Sequence, residues 1–136
     1  MIFVQIAPKA QKSGLDFMAI HNDLGKEGEQ AACEFLKKLG YQILGINLIF
    51  GKAEIDILAL YKNVLIVVEV KTRTSAAFGN PEEFVSEKKQ HLLFSAAEDY
   101  LNKENLNYEV QFDIISIISK ENTFNINHIP NAFFPH

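Results

Sequence analysis

Ala53-Glu54-Ile55-Asp56-Ile57-Leu58-Ala59-Leu60 and, beyond Tyr61-Lys62-Asn63, Val64-Leu65-Ile66-Val67-Val68-Glu69-Val70-Lys71 are the two stretches that decide the reading of this chain. Both are rich in β-branched and aliphatic residues, and each carries acids where a buried strand would not ordinarily have them. Side chains at i and i+2 share a face of a strand. Strict alternation therefore puts Glu54, Asp56, Leu58 and Leu60 on one face and Ala53, Ile55, Ile57 and Ala59 on the other. In the second run Leu65, Val67, Glu69 and Lys71 share a face. Lys62-Asn63 suits a two-residue hairpin loop. With that loop Tyr61 pairs with Val64, Asp56 lies opposite Glu69, and Glu54 lies opposite Lys71.

Two carboxylates placed directly opposite repel each other. At ~5 Å and an effective dielectric of ~20 the repulsion is about 3 kcal/mol. A hard divalent cation such as Mg²⁺ or Mn²⁺ would reverse the sign, because it takes carboxylate oxygens and keeps several waters. The bland alternative is a solvated ribbon on which Glu54 pairs with Lys71. The apolar surroundings of Asp56 and Glu69 favour the metal reading, since buried acids are rare unless paired or metal-bound.

Outward from this hairpin the pattern is α/β. Residues 24–39 have an apolar face of Leu24, Gly28, Ala31, Ala32, Phe35, Leu36 and Leu39, with Asn22 or Asp23 to cap the start and Gly40 to end the helix. Gly28 in the middle of that face lets the helix approach a sheet closely, and its helix cost of up to ~1 kcal/mol asks for such a reason. Glu29 falls about 100° from the centre of the face, at a border from which a carboxylate can reach the site. Cys33 falls away from the stripe, has no base partner and is expected to be inert. Tyr41–Phe50 reads as the first strand of a meander, with a bulge at Gly45. Residues 74–86 read as a loop, either closing over nucleic acid or merely connecting. Ser86 caps a second helix over 87–103. Val110–Ile118 suits an internal strand, reached by a parallel crossover, and Thr123–Ile129 suits an edge strand.

Several segments together resemble a known family: Gly25-Lys26-Glu27-Gly28-Glu29-Gln30-Ala31-Ala32, Leu39-Gly40-Tyr41, Asn47, the Asp56 and Glu69-Val70-Lys71 runs, Thr72-Arg73, Phe78-Gly79-Asn80-Pro81 and Phe112-Asp113. An Asp followed by Glu-x-Lys on adjacent strands is similar to the core of the restriction-endonuclease-like PD-(D/E)xK nucleases. More closely the chain resembles the YraN family of small bacterial proteins, which are similar to Holliday-junction resolvases. The resemblance spans roughly residues 23–118. It departs at Ala53, where the family usually has Gly, without removing a ligand.

The resemblance implies a mixed central β-sheet flanked by helices in the order α-β-β-β-α-β, and a metal-dependent endonuclease acting on branched or processed DNA. Asp56 and Glu69 would hold Mg²⁺ or Mn²⁺ with the Val70 carbonyl as a third ligand. Lys71 would orient water or stabilise developing charge, and Glu29, the family's first acidic position, would assist. Arg73, the only arginine, and Lys88 would bind flanking phosphates. A four-way-junction substrate would require two sites and hence a homodimer.

Composition bounds the rest. With 136 residues, 48% of them hydrophobic and 22% charged, one soluble domain is expected over 21–136, preceded by an extension of unknown role at 1–20. Apolar runs are too short for a bilayer span and the start lacks a secretory pattern. The single cysteine fits a reducing compartment, so a bacterial cytoplasm and no membrane partner are expected. The net charge of −4 is unlike that of dedicated duplex binders, but site carboxylates weigh on it and Lys52, Lys71, Arg73, Lys88 and Lys89 cluster near the proposed site. The histidines show no zinc spacing, and phosphate-loop and dinucleotide motifs are absent. Two other readings stay open: a nucleic-acid-binding module that keeps the fold without cutting, and a protein-interaction module.

Overall fold

Nine or more consecutive β-forming residues on either side of a tight turn build most of this molecule. The computed structural model describes residues 2–5, 17–74 and 85–135. The elements in order are β1 (Ile2–Gln5), α1 (Phe17–Lys38), β2 (Gln42–Phe50), β3 (Ala53–Tyr61), β4 (Val64–Arg73), α2 (Glu87–Lys103), β5 (Glu109–Lys120) and β6 (Thr123–Phe133). They form a six-stranded sheet in the order β1-β6-β5-β4-β3-β2. β4 and β5 are parallel neighbours joined through α2, while all other neighbours are antiparallel. The α-β-β-β-α-β core expected from the sequence is present in α1 through β5.

The turns explain why the strands stop where they do. Lys62 and Asn63 have φ of 49° and 64°, and Glu121 and Asn122 have φ of 51° and 61°. Positive φ at both loop residues matches the right-handed twist of the flanking strands. The Tyr61–Val64 and Ile57–Val68 pairs follow from the first of these turns, in the register read from the sequence. α1 ends with Gly40 at φ 95°. There the N–H of Tyr41 donates to Leu36 O at 3.0 Å and that of Gly40 to Lys37 O at 3.0 Å, which satisfies carbonyls the helix leaves over. Ser86 caps α2 by accepting from the Lys89 N–H at 3.1 Å. The β2 bulge falls between Ile43 and Gly45.

Each helix covers one face. α1 contributes Ala32, Phe35 and Leu36 to a core with Ile57, Ala59, Ile66, Val68, Ile115, Ile117 and Phe124. α2 contributes Leu93, Ala96 and Ala97 to a second core with Ile55, Leu58, Leu65, Val67, Phe112 and Ile114. Gly28 sets the α1 distance: a Cβ there would lie 1.9 Å from Thr72 Oγ1.

Four expectations are corrected. Thr123–Ile129 is not an edge strand; β6 runs on to Phe133 and is internal, because β1 pairs outside it through Ile2↔Ile126 to Gln5↔Thr123. α1 begins at Phe17, so Asn22 and Asp23 lie inside it rather than capping it. Cys33 is buried with 3% exposure in the α1 core, because a helix seated on a twisted sheet buries more than its central stripe; burial pushes its thiol pKa up. The strict alternation of β3 fails: Ala53 and Ile55 belong to the α2 core, whereas Ile57 and Ala59 belong to the α1 core. The segment 75–84, with its Phe78-Gly79-Asn80-Pro81 motif, lies outside the described residues.

A second buried acid is structural. Asp113 is 0% exposed and sits at the β5–β6 irregularity between Phe112 and Ile114. Its carboxylate accepts from Gln111 Nε2 at 2.9 Å and from the Asn131 N–H at 2.9 Å, and lies 2.8 Å from His128 Nε2. Its oxygens take the place of ladder acceptors where the strands fall out of register, as buried polar groups require.

Candidate metal centre and its cleft

The place where β3 loses its alternation is the place where it leaves β4. The Cα pairing of the two strands stops at Ile57↔Val68, one step before Asp56 and Glu69. Glu54 and Lys71 are therefore not ladder partners, and no ion pair joins them. The backbone N–H of Val70, freed by the separation, donates to Asp56 Oδ2 at 2.8 Å. A side-chain carboxylate thus replaces the missing strand acceptor. On the other side of β3, Ile46↔Ile57 and Leu48↔Ile55 are paired, so Asn47 is across from Asp56. Asn47 has φ of 52°.

Glu69 is 5% exposed, on the α2-facing side of β4. Its Oε1 pairs with Lys89 Nζ of α2, while Oε2 is buried with no hydrogen-bond partner. The Asp56 carboxyl is pushed up to about 8, first by burial and then by the Glu69 charge; the Val70 N–H works in the opposite direction, and Lys89 more weakly so. Glu29 of α1 comes within electrostatic reach. Its carboxyl is raised by burial and by Glu54 and Glu69, and lowered by a side-chain hydrogen bond with Asn47 and by Lys26. Three acids from three different elements, Glu29, Asp56 and Glu69, therefore feel one another's charge.

Each sequence-derived site residue can now be placed. Asp56 and Glu69 lie within electrostatic reach of each other, and the Val70 N–H is engaged by Asp56. Lys71, half-buried, follows Glu69 on the same face by alternation and has no ion-pair or hydrogen-bond partner among the described residues. Arg73 is the last, half-buried residue of β4. Lys88 is exposed in the first turn of α2 and helps line a cavity of about 320 Å³ with Lys52, Glu54, Asp56 and Lys89. The sequence reading chose Lys88 over Lys89 for a role at the site, whereas Lys89 is the one that reaches Glu69. Their shared first-turn position, against the helix dipole, was the available signal, and it does not separate the two. Asn47 was visible only as a resemblance; its positive φ and its bond to Glu29 are properties of the fold.

The donor set fits a divalent cation with few protein ligands. Among the described residues no three of His, Cys, Asp and Glu converge as a ligand group. Two carboxylates within electrostatic reach, one with a buried unpartnered oxygen, match the one or two carboxylates that Mg²⁺ typically takes while keeping water and phosphate ligands. A structural cage of four protein ligands is not available here.

Comparison with known proteins shows the family. The model of the uncharacterised protein family UPF0102 matches residues 28–117. A UPF0102 protein of Flavobacterium psychrophilum is 49% identical over 117 residues, covering 86% of this chain and 98% of the relative. Counterparts from Phocaeicola vulgatus and Bacteroides thetaiotaomicron are 46% and 43% identical over 118 residues, each covering 87% of this chain and 98% of the relative. The matched span runs from Gly28, at the α1–β4 contact, to the last core positions of β5. No helix among the described residues is long and apolar enough to cross a membrane.

Proposed function

We propose that this chain, which belongs to the uncharacterised protein family UPF0102, is a Mg²⁺- or Mn²⁺-dependent endonuclease that hydrolyses phosphodiester bonds in nucleic acid, DNA above all. The observation that carries the reading is Asp56 within electrostatic reach of the buried Glu69 at the point where β3 and β4 part. A fold selected for stability alone would not hold a buried acid against a second one. Asp56, Glu69 and the Val70 backbone would hold the cation. Bound there, it would polarise the scissile phosphate and make a water more acidic.

The protein's own groups do the remaining work. Lys71, on the same face as Glu69 and without an ion pair among the described residues, would orient the attacking water and stabilise charge on the phosphate oxygens. Glu29, with its raised carboxyl, would take or return a proton through water. Arg73 and Lys88, at the end of β4 and the start of α2, would bind flanking phosphates. Balance is simple: water adds across one P–O bond, and the proton lost by water passes to solvent or to the leaving oxygen. A two-fold dimer is expected if the substrate is a four-way junction.

A second reading, a binding module without cleavage, is favoured by one observation: Lys89 already supplies Glu69 with a positive partner. Titration with Mn²⁺, followed by electron paramagnetic resonance, separates the two. The nuclease reading expects one bound Mn²⁺ per chain, lost in Asp56→Asn and in Glu69→Gln. Equal binding in both variants, or none in the wild type, contradicts it.

A further inference from the structure

A cavity opens beside Asp56. It lies between the β2–β3 turn, which carries Lys52, and the first two turns of α2. Its volume of about 320 Å³ is near the lower end of the range for small-ligand sites. Its lining combines apolar Ala53, Leu92 and Leu93 with Ser86, three lysines (Lys52, Lys88 and Lys89) and two acids (Glu54 and Asp56).

The lysines are not accounted for by the protein alone. Cations in the first turn of a helix work against the helix dipole. Lys89 has its compensation in Glu69. Lys88 and Lys52 have no ion-pair partner among the described residues. An anion between them would be met by two ammonium groups and by the backbone donors at the start of α2, beyond the one that Ser86 already takes.

We infer that this cavity is a binding site for a single unpaired nucleotide, with its phosphate on Lys52 and Lys88 and its base against Leu92 and Leu93. The inference rests on the nuclease reading for its location beside the metal pair, and it narrows the substrate class. A base held in a stacked duplex cannot leave the stack to reach these residues, whereas one nucleotide released from pairing can. The substrate would therefore offer an unpaired nucleotide next to the bond that is cut, as single strands, flaps and frayed junction centres do. Among the described residues no aromatic side chain lines the cavity, and a phosphate held by lysines would dominate affinity.

The test is binding without chemistry. Thymidine 5′-monophosphate, thymidine and inorganic phosphate are titrated into the full chain in EDTA and followed by calorimetry. The monophosphate is expected to bind at least tenfold more tightly than thymidine or phosphate. Lys52→Ala/Lys88→Ala should weaken it at least tenfold, while Lys62→Ala, at the far end of the β3–β4 hairpin, should leave it unchanged. Circular dichroism melts check that the double variant is folded. A monophosphate that binds no more tightly than phosphate, or that binds the folded double variant as well as the wild type, overturns the inference. Its failure is distinguishable from failure of the nuclease reading. Cleavage that needs Asp56, together with no nucleotide binding in EDTA, removes only this site; nucleotide binding without any metal-dependent cleavage removes only the nuclease.

Discussion

Replacing Asp56 by Asn should stabilise the protein at alkaline pH in the absence of divalent metal. Asn keeps the shape and an oxygen to accept the Val70 N–H, which lies 2.8 Å from the present Oδ2, but it carries no charge to set against Glu69. The Asp56 carboxyl moves from an ordinary 3.8 to about 8, by burial first and Glu69 second. At about 1.4 kcal/mol per pKa unit this corresponds to at most about 6 kcal/mol. Residual exposure and the nearby Lys89 reduce the measurable part to roughly 2–3 kcal/mol. The folded carboxyl holds its proton to higher pH than the unfolded one. Its stabilising effect is therefore fully present below about pH 4 and is lost as pH rises through about 8. Urea unfolding in EDTA from pH 4 to 9 reads this directly. The wild type should lose stability relative to Asp56→Asn across that window, ending roughly 2–3 kcal/mol less stable. Parallel pH curves for the two proteins, or an Asn variant less stable at pH 8, would refute the reasoning about this pair.

Other consequences follow from the same geometry. Mn²⁺ affinity should rise close to tenfold per pH unit between pH 6 and 7.5, because binding must release the Asp56 proton; a flat profile by calorimetry would show that no such proton is displaced. Lys89→Met should lower the melting temperature in EDTA by leaving Glu69 without its partner, at a cost of about 1–2 kcal/mol given how exposed Lys89 is. The same variant should gain more from added Mn²⁺ than the wild type does; equal gains would mean that the lysine and the cation do not share the carboxylate. Gly28→Ala should cost about 1–3 kcal/mol through the 1.9 Å approach to Thr72 Oγ1. Adding Thr72→Ala should recover part of that loss in thermal melts, and failure to recover would point to the backbone instead.

Local rules carried far in this chain. The Lys62-Asn63 turn fixed the β3–β4 register through Ile57↔Val68, because a two-residue loop leaves no freedom in pairing. Ser86, Gly40 and Gly28 each met a short-range demand that the residue type announces: a free helix N–H, a left-handed C-terminus and a close contact. What the sequence hid was non-local. The alternation of β3 fails around Asp56, and a strict period of two gives no warning of it. β6 looked like an edge because nothing in Thr123–Ile129 reveals that Ile2–Gln5 will pair beside it. Asp113 sits among apolar neighbours, and its role depends on His128 and Asn131, which lie beyond the next turn. Lys89 and Lys88 are adjacent and chemically alike, so only the packing of α2 on β4 decides which one meets Glu69.

The most direct test is cleavage itself. End-labelled four-way junction, flap, single-stranded DNA, duplex DNA and RNA would be incubated with the wild type and with Asp56→Asn in Mg²⁺, in Mn²⁺ and in EDTA. The account predicts cutting that requires the metal, is absent in the folded variant, and favours substrates with unpaired nucleotides. No cutting of any substrate by a wild type that binds neither Mg²⁺ nor Mn²⁺ would contradict it and leave a binding module in its place.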